Sequence, residues 1–272
     1  MKIFKIVLCI VFVMSVAFFV AKGCWHPKTT LVSKTPHFEV PPAPKKTGIV
    51  RLEHPKMAII LDDWGNSLLL LKNVEEINRP VTLSVLPHLA HSREIAEEAF
   101  GRGLGVMLHM PMQPKSFRQP LEPHTILTTM PDTEIVEYLD QAIESVPHAE
   151  GMNNHQGSAA TSDERVMKTV LNHLKKKGLF FVDSQVVSTT VGRRVAKEIK
   201  IPFTKRDLFI DNQVTVEAIG QQLREAEKIA LARGRVVVIG HDKKVTIKTI
   251  REMVPELEKN GIQLVLVKEL LD

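Results

Sequence analysis

The chain has 272 residues, 44% of them hydrophobic, with two cysteines. That length can hold one large domain or two ordinary ones around a full core, and it excludes a small disulfide-stapled scaffold. Residues 1–55 carry eight Lys/Arg against Glu39 and Glu53, a net of +6 against +5 for the whole chain, so the remainder carries −1 and offers no electrostatic footing for nucleic acid.

At the N-terminus, Lys2 and Lys5 precede an apolar run from Ile6 to Ala21 whose only polar member is Ser15. Positive charge before such a run is the pattern of an export signal, with the positive end left in the cytoplasm. An uncleaved signal-anchor over 1–22 is the first reading, a cleaved signal the second, and lipidation at Cys24 the third. Both cysteines, Cys9 and Cys24, lie in this end of the chain. Residues 23–55 contain Pro27, Pro36, Pro41, Pro42, Pro44 and Pro55 among Lys, Thr and Ser, a composition that blocks helices and favours extended chain. The expectation is a spacer that holds a domain over 56–272 off a membrane, on the extracytoplasmic side, in the periplasm or at the cell surface.

From Lys56 onward short apolar runs alternate with amphipathic stretches. Strands are expected at 57–61, 81–85, 105–109, 149–152, 179–182, 201–203, 235–239 and 262–267. Helices are expected near 67–77, 92–102, 132–145, 163–177, 189–199, 215–233 and 246–260. Such alternation, with continuously apolar strands, implies a parallel sheet buried on both faces, as a barrel or a doubly wound sheet. Seven or eight units in this length fit an incomplete or distorted (β/α) barrel of about seven parallel strands, and no Gly-rich phosphate loop follows the first strand.

The first apolar run, Met57 to Leu61, stops at Asp62 and Asp63, followed by the turn formers Gly65 and Asn66. Two carboxylates at a strand's end converge where the chain leaves the pleat, and they repel unless a cation lies between them. The alternative is that one of them caps the next helix. The third strand ends at His109, the fourth runs into Asn153-Asn154-His155, the fifth into Asp183-Ser184, and the seventh into Gly240-His241-Asp242. In a parallel barrel all these ends share one rim, where barrel enzymes place their chemistry. Asp with two His suits a borderline divalent cation, Zn²⁺ first, with a position open for water, and a further His across the site is placed to act as an acid. His88 and His91 form a His-x-x-His spacing that reads equally as ligands or as helix-start residues.

Five ordered stretches, Ile59-Ile60-Leu61-Asp62-Asp63-Trp64-Gly65-Asn66, Leu108-His109-Met110-Pro111-Met112-Gln113-Pro114, Gly151-Met152-Asn153-Asn154-His155-Gln156-Gly157-Ser158, Phe180-Phe181-Val182-Asp183-Ser184 and Val238-Ile239-Gly240-His241, resemble the divergent polysaccharide deacetylase family. The resemblance spans 56–272. It implies a metal-dependent hydrolase on an incomplete (β/α) barrel that removes acetyl groups from a cell-envelope or surface glycan. Asp62 is then the general base, Asp63 and His109 are metal ligands, and His241 is the catalytic acid. Trp64, Asn153, Asn154 and Asp183 are the expected substrate contacts. Gln113 stands where better-characterised relatives have the second His of His-x-x-x-His, and the resemblance leaves His155 to replace it as ligand. Asn153-Asn154-His155 stands where they carry Arg-x-Pro-Tyr, and Asp242 where a proline is expected. These departures motivate a second reading, a deacetylase-like domain that binds glycan or an envelope protein without turnover. A phosphoesterase on a similar barrel would need a cationic cluster at the rim, for which Lys205-Arg206, beside Asp207, is the only candidate.

Overall fold

A computed structural model describes residues 54–116 and 120–272; the N-terminal apolar run and most of the Pro-rich spacer lie outside the described residues. Among the described residues no helix is long and apolar enough to cross a membrane.

Among the described residues nine strands, all paired in parallel, form one curled sheet: β1 (Lys56–Trp64), β2 (Thr82–Val85), β3 (Gly105–Met112), β4 (Gly151–Gln156), β5 (Phe180–Asp183), β6 (Phe203–Lys205), β7 (Leu208–Phe209), β8 (Arg235–His241) and β9 (Gln263–Val265). Their order is β6-β5-β4-β3-β2-β1-β8-β7, with β9 on β1. One edge of β1 pairs with β8 along Lys56–Asp62. The other is divided, its first three residues on β9 and its later ones on β2. The two ends of the order, β6 and β7, are halves of a single run of chain. Its first half pairs with β5 and its second with β8, and the change of partner falls at Arg206 and Asp207, whose N–H groups donate to Asp183 O (2.9 Å) and Val237 O (2.8 Å). The barrel is therefore distorted at one seam, in line with the incomplete barrel expected from sequence.

Seven α-helices among the described residues cover the outside: α1 (Leu71–Glu75), α2 (Ser92–Gly101), α3 (Asp132–Ser145), α4 (Glu164–Lys177), α5 (Gly192–Ile199), α6 (Val216–Arg233) and α7 (Lys244–Lys259). The boundaries follow local chemistry. The Asp163 carboxylate accepts from Val166 N at the start of α4, three lysines fill its last turn, and Gly178 at φ +73 lets the chain leave it. Val166, Met167, Val170, Leu171 and Leu174 give α4 an apolar face against the sheet, each worth about 1.5–3 kcal/mol when fully buried. The first helix is shorter than the expected 67–77, and only Leu71 and Val74 of it are buried.

Two apolar layers result. The larger lies between sheet and helices. The smaller fills the barrel and includes Ala58, Ile60, Met107, Phe180, Val182, Val237 and Ile239. Gly151 makes room for the Phe180 ring, since a Cβ there would meet it at 2.3 Å. Side chains alternate along a strand, so the next inward positions above this plug are Asp62 on β1, His109 on β3, Asn153 on β4 and His241 on β8. The apolar plug is thus the floor of a polar layer.

Candidate metal centre and acid–base pair

β1 continues through Asp62 and Asp63 to Trp64, three residues beyond the apolar run, and its pairing with β2 shifts register between Leu61 and Trp64. Asp63 sits in that bulge at φ +69, a left-handed conformation that Asp tolerates better than most residues. The bulge breaks the pleat's alternation, so both carboxylates approach the same imidazole: His109 Nε2 lies 3.7 Å from Asp62 Oδ2 and 3.2 Å from Asp63 Oδ1. β3 likewise runs past His109, through Pro111, and β4 begins later and extends over Asn153 to Gln156. The expected strand ends are therefore interior strand positions. Register pairs His109 with Asn153 and Pro111 with His155, which puts His155 one inward step above Asn153.

Asp63, His109 and His155 converge. Their donor atoms lie within 4.8 Å of one another, with Asp63 Oδ1 3.1 Å from His155 Nδ1 and His109 Nε2 3.1 Å from the same nitrogen. The supporting contacts orient them. Asn153 Nδ2 donates to Asp62 Oδ1 at 2.9 Å, because an ionised carboxylate only accepts; this turns Asn153 Oδ1 toward His109 Nδ1 (2.7 Å) and the Ser84 hydroxyl. His109 Nδ1 must then carry one proton while Nε2–H donates to Asp63, and loss of that second proton would leave the Nε2 lone pair, the tautomer a metal ligand needs. Burial disfavours charge on Asp63, but hydrogen bonds from His109 and His155 outweigh it and hold the carboxylate well below its usual range. Burial likewise opposes charge on His109, but Asp62 and Asp63 outweigh it and push the imidazole up to about 9. An anion with two crowded imidazoles is a donor set that fits a divalent ion of the Zn²⁺ type, which would take the place of the shared protons. Gln113 is not part of it: its Oε1 accepts from Thr128 N (2.7 Å) and Thr128 Oγ1 (3.0 Å) in the loop before α3.

Across the layer, His241 is the register partner of Asp62. Its Nδ1 lies 2.7 Å from Asp211 Oδ1, and its backbone N–H donates to Asp211 Oδ2, which also accepts from Thr246 Oγ1. This fixes the ring with Nδ1–H toward Asp211 and leaves Nε2 for chemistry. Burial lowers the affinity of His241 for a proton, and Asp211 more than restores it, so its pKa lies above the ordinary value. Burial raises the pKa of Asp62, against the pull of His109 and Asn153. Asp242, at the expected proline position, is pushed up to about 6 by burial and by Asp63.

The structure sets the other expected substrate contacts apart. Trp64 is buried in the layer between sheet and helices. Asn154 is spent on Ser184 N and Gln156 O, and Asp183 accepts from Gln185 N and Thr190 Oγ1, so both brace rim turns. His91 pairs with Glu94 at the start of α2, and His88 meets His124 edge-on at 4.6 Å; neither joins the cluster. Ser84 and Asp211 belong to the site and were not expected. Asp211 carries the same signature as Asp62, an apolar pair running into Asp, but Phe209-Ile210 is too short to read as a strand.

The family model described as divergent polysaccharide deacetylase matches residues 59–271. The chain belongs to the divergent polysaccharide deacetylase family. The protein YibQ of Escherichia coli is 34% identical over 217 residues, covering 80% of this chain and 67% of that one. A crystal structure from Agrobacterium tumefaciens, of an uncharacterized protein, superposes with a TM-score of 0.75 at 22% identity, covering 80% of this chain and 89% of that one. Two carbohydrate esterase family 4 structures superpose at a TM-score of 0.51. One is an esterase from Streptomyces lividans in complex with acetate (14% identity, 78% of this chain, 93% of that one), the other a pseudoenzyme from Bacillus anthracis (13%, 81% and 66%). These last likenesses are likenesses of fold.

Proposed function

We propose that this divergent deacetylase is a metal-dependent hydrolase that removes acetyl groups from an N- or O-acetylated cell-envelope glycan, working outside the cytoplasm and held to the membrane by residues 1–22. The observation that carries the reading is the convergence of Asp63, His109 and His155 on one point, with Asp62 and His241 flanking it. Zn²⁺ is the ion the donors suit best, and when bound it supplies Lewis acidity toward a carbonyl and acidifies water. Asp62, held through Oδ1 by Asn153, has Oδ2 free to take a proton from water as the water oxygen bonds to the acetyl carbon. His241 Nε2–H gives its proton to the sugar nitrogen or oxygen as the bond to the acetyl carbon breaks, so acetate and a free amine or hydroxyl leave. Asp211 keeps the proton on the correct nitrogen. The test is acetate release from a panel of acetylated glycan oligomers, wild type against Asp62→Asn; background release by both would leave the binding-only reading, which Gln113 and the absent Arg-x-Pro-Tyr stretch favour.

Two further outcomes follow from the supporting contacts. Asn153→Leu removes the donor on Asp62 and the acceptor on His109 together. It is expected to lower kcat/KM by about 10- to 100-fold and stability by about 1–3 kcal/mol, read from kinetics and denaturant melts. Asp211→Asn removes the anion that holds the His241 pKa up. Activity requires the protonated imidazole and falls as pH rises through its pKa, so the alkaline limb of the pH–rate profile is expected to move to lower pH.

A further inference from the structure

His241 stands on β8 beside the seam where the barrel changes partner, the place where strand pairing does least to fix it. One chain of contacts spans that seam. The Arg206 guanidinium donates from Nε to Ser184 O (2.7 Å) and from Nη2 to Gln185 O (2.8 Å), which ties it to the turn that ends β5. Its carbon lies 3.7 Å from the centroid of the Phe209 ring. Phe209 in turn packs on the apolar plug and lies nearly parallel to the His241 imidazole, with centroids 5.8 Å apart and planes at 18°. Asp211 holds one edge of that imidazole, but a bond to one nitrogen still lets a ring tilt about the bond; a flat neighbour removes that freedom.

Resting on the deacetylase reading above, we propose that Arg206 and Phe209 form a clamp that positions the His241 acid. The clamp refers the ring to the end of β5 across the open seam. Planar guanidinium suits this because it can use its edge for two carbonyls while its face lies on an aromatic ring; an ammonium can do neither with the same rigidity. Both are positioning residues. Arg206 acts on His241 only through Phe209, and this makes a specific expectation about coupling.

The test compares Phe209→Leu, Phe209→Tyr, Arg206→Met and the double variant Arg206→Met/Phe209→Leu in the full-length protein. Phe209→Leu is expected to lower kcat about tenfold with KM little changed, the order of effect of losing a partly desolvated stacking contact. Phe209→Tyr, which keeps the ring, should retain wild-type kcat. The charged groups around the imidazole, Asp211, Asp62, Asp63 and the adjacent Asp242, are untouched by these changes. Loss of the π face removes support for the imidazolium, so the His241 titration followed by imidazole NMR should move down by roughly 0.5–1 pH unit in Phe209→Leu and stay in Phe209→Tyr. The double variant should be no worse than Phe209→Leu alone, since Arg206 has nothing left to act through. Additive losses in the double variant, or a titration and kcat unchanged in Phe209→Leu, would overturn the clamp. If wild type releases no acetate, the deacetylase reading fails by itself, and the NMR titration still decides whether the ring is held.

Discussion

Asp62→Asn is expected to reduce kcat for acetate release by about 10²- to 10⁴-fold while leaving metal content unchanged, the range that removal of a general base covers. The substitution keeps the shape of the side chain and the bond from Asn153 Nδ2, since an amide oxygen also accepts; what it loses is the ability to take a proton. Fold stability should hold or rise. Asp62 is buried, and burial works against its charge, so the neutral isostere escapes that cost. Loss of activity with unchanged or higher thermal stability separates a chemical role from a structural one. A parallel fall in both would assign Asp62 to the scaffold.

Asp63→Ala is expected to have the second largest effect, of a different kind. It removes the only anion among the three converging donors and leaves His109 and His155 without their shared acceptor. Metal content should fall from one ion per chain to near zero, and activity with it. In wild type a chelator should lower the melting temperature, because an ion that binds only the folded chain at about a thousand times its Kd stabilises by about 4 kcal/mol. In Asp63→Ala the chelator should change nothing. An equal response of both proteins to chelation would place the ion elsewhere.

The sequence was most legible where apolar runs carried it. The strand–helix alternation gave the barrel, and the run ending at Asp62-Asp63 marked where its polar layer starts. What escaped was strand built from polar residues. Pro111, and Asn153-Asn154-His155 after Gly151, read as loop because these residue types rarely fill central strands. Here the polar side chains satisfy one another inside the barrel, and the ladder continues through them. The seam was illegible for a related reason: two strands of three and two residues carry too short a pattern, so Phe209 and Asp211 went unread. Conversely Trp64 and Asn154 stand beside Asp63 and Asn153 in sequence, and Asp183 follows the plug residue Val182, yet all three face packing or turns, since neighbours on a strand point to opposite sides.

The most direct measurement titrates chelated, metal-free protein with Zn²⁺ while acetate release from an acetylated glycan oligomer is followed. One ion held by Asp63, His109 and His155 predicts a rate that rises from background in proportion to added Zn²⁺ and levels at one equivalent per chain. Release that is undiminished without metal, or that stays at background after one equivalent has bound, would contradict it.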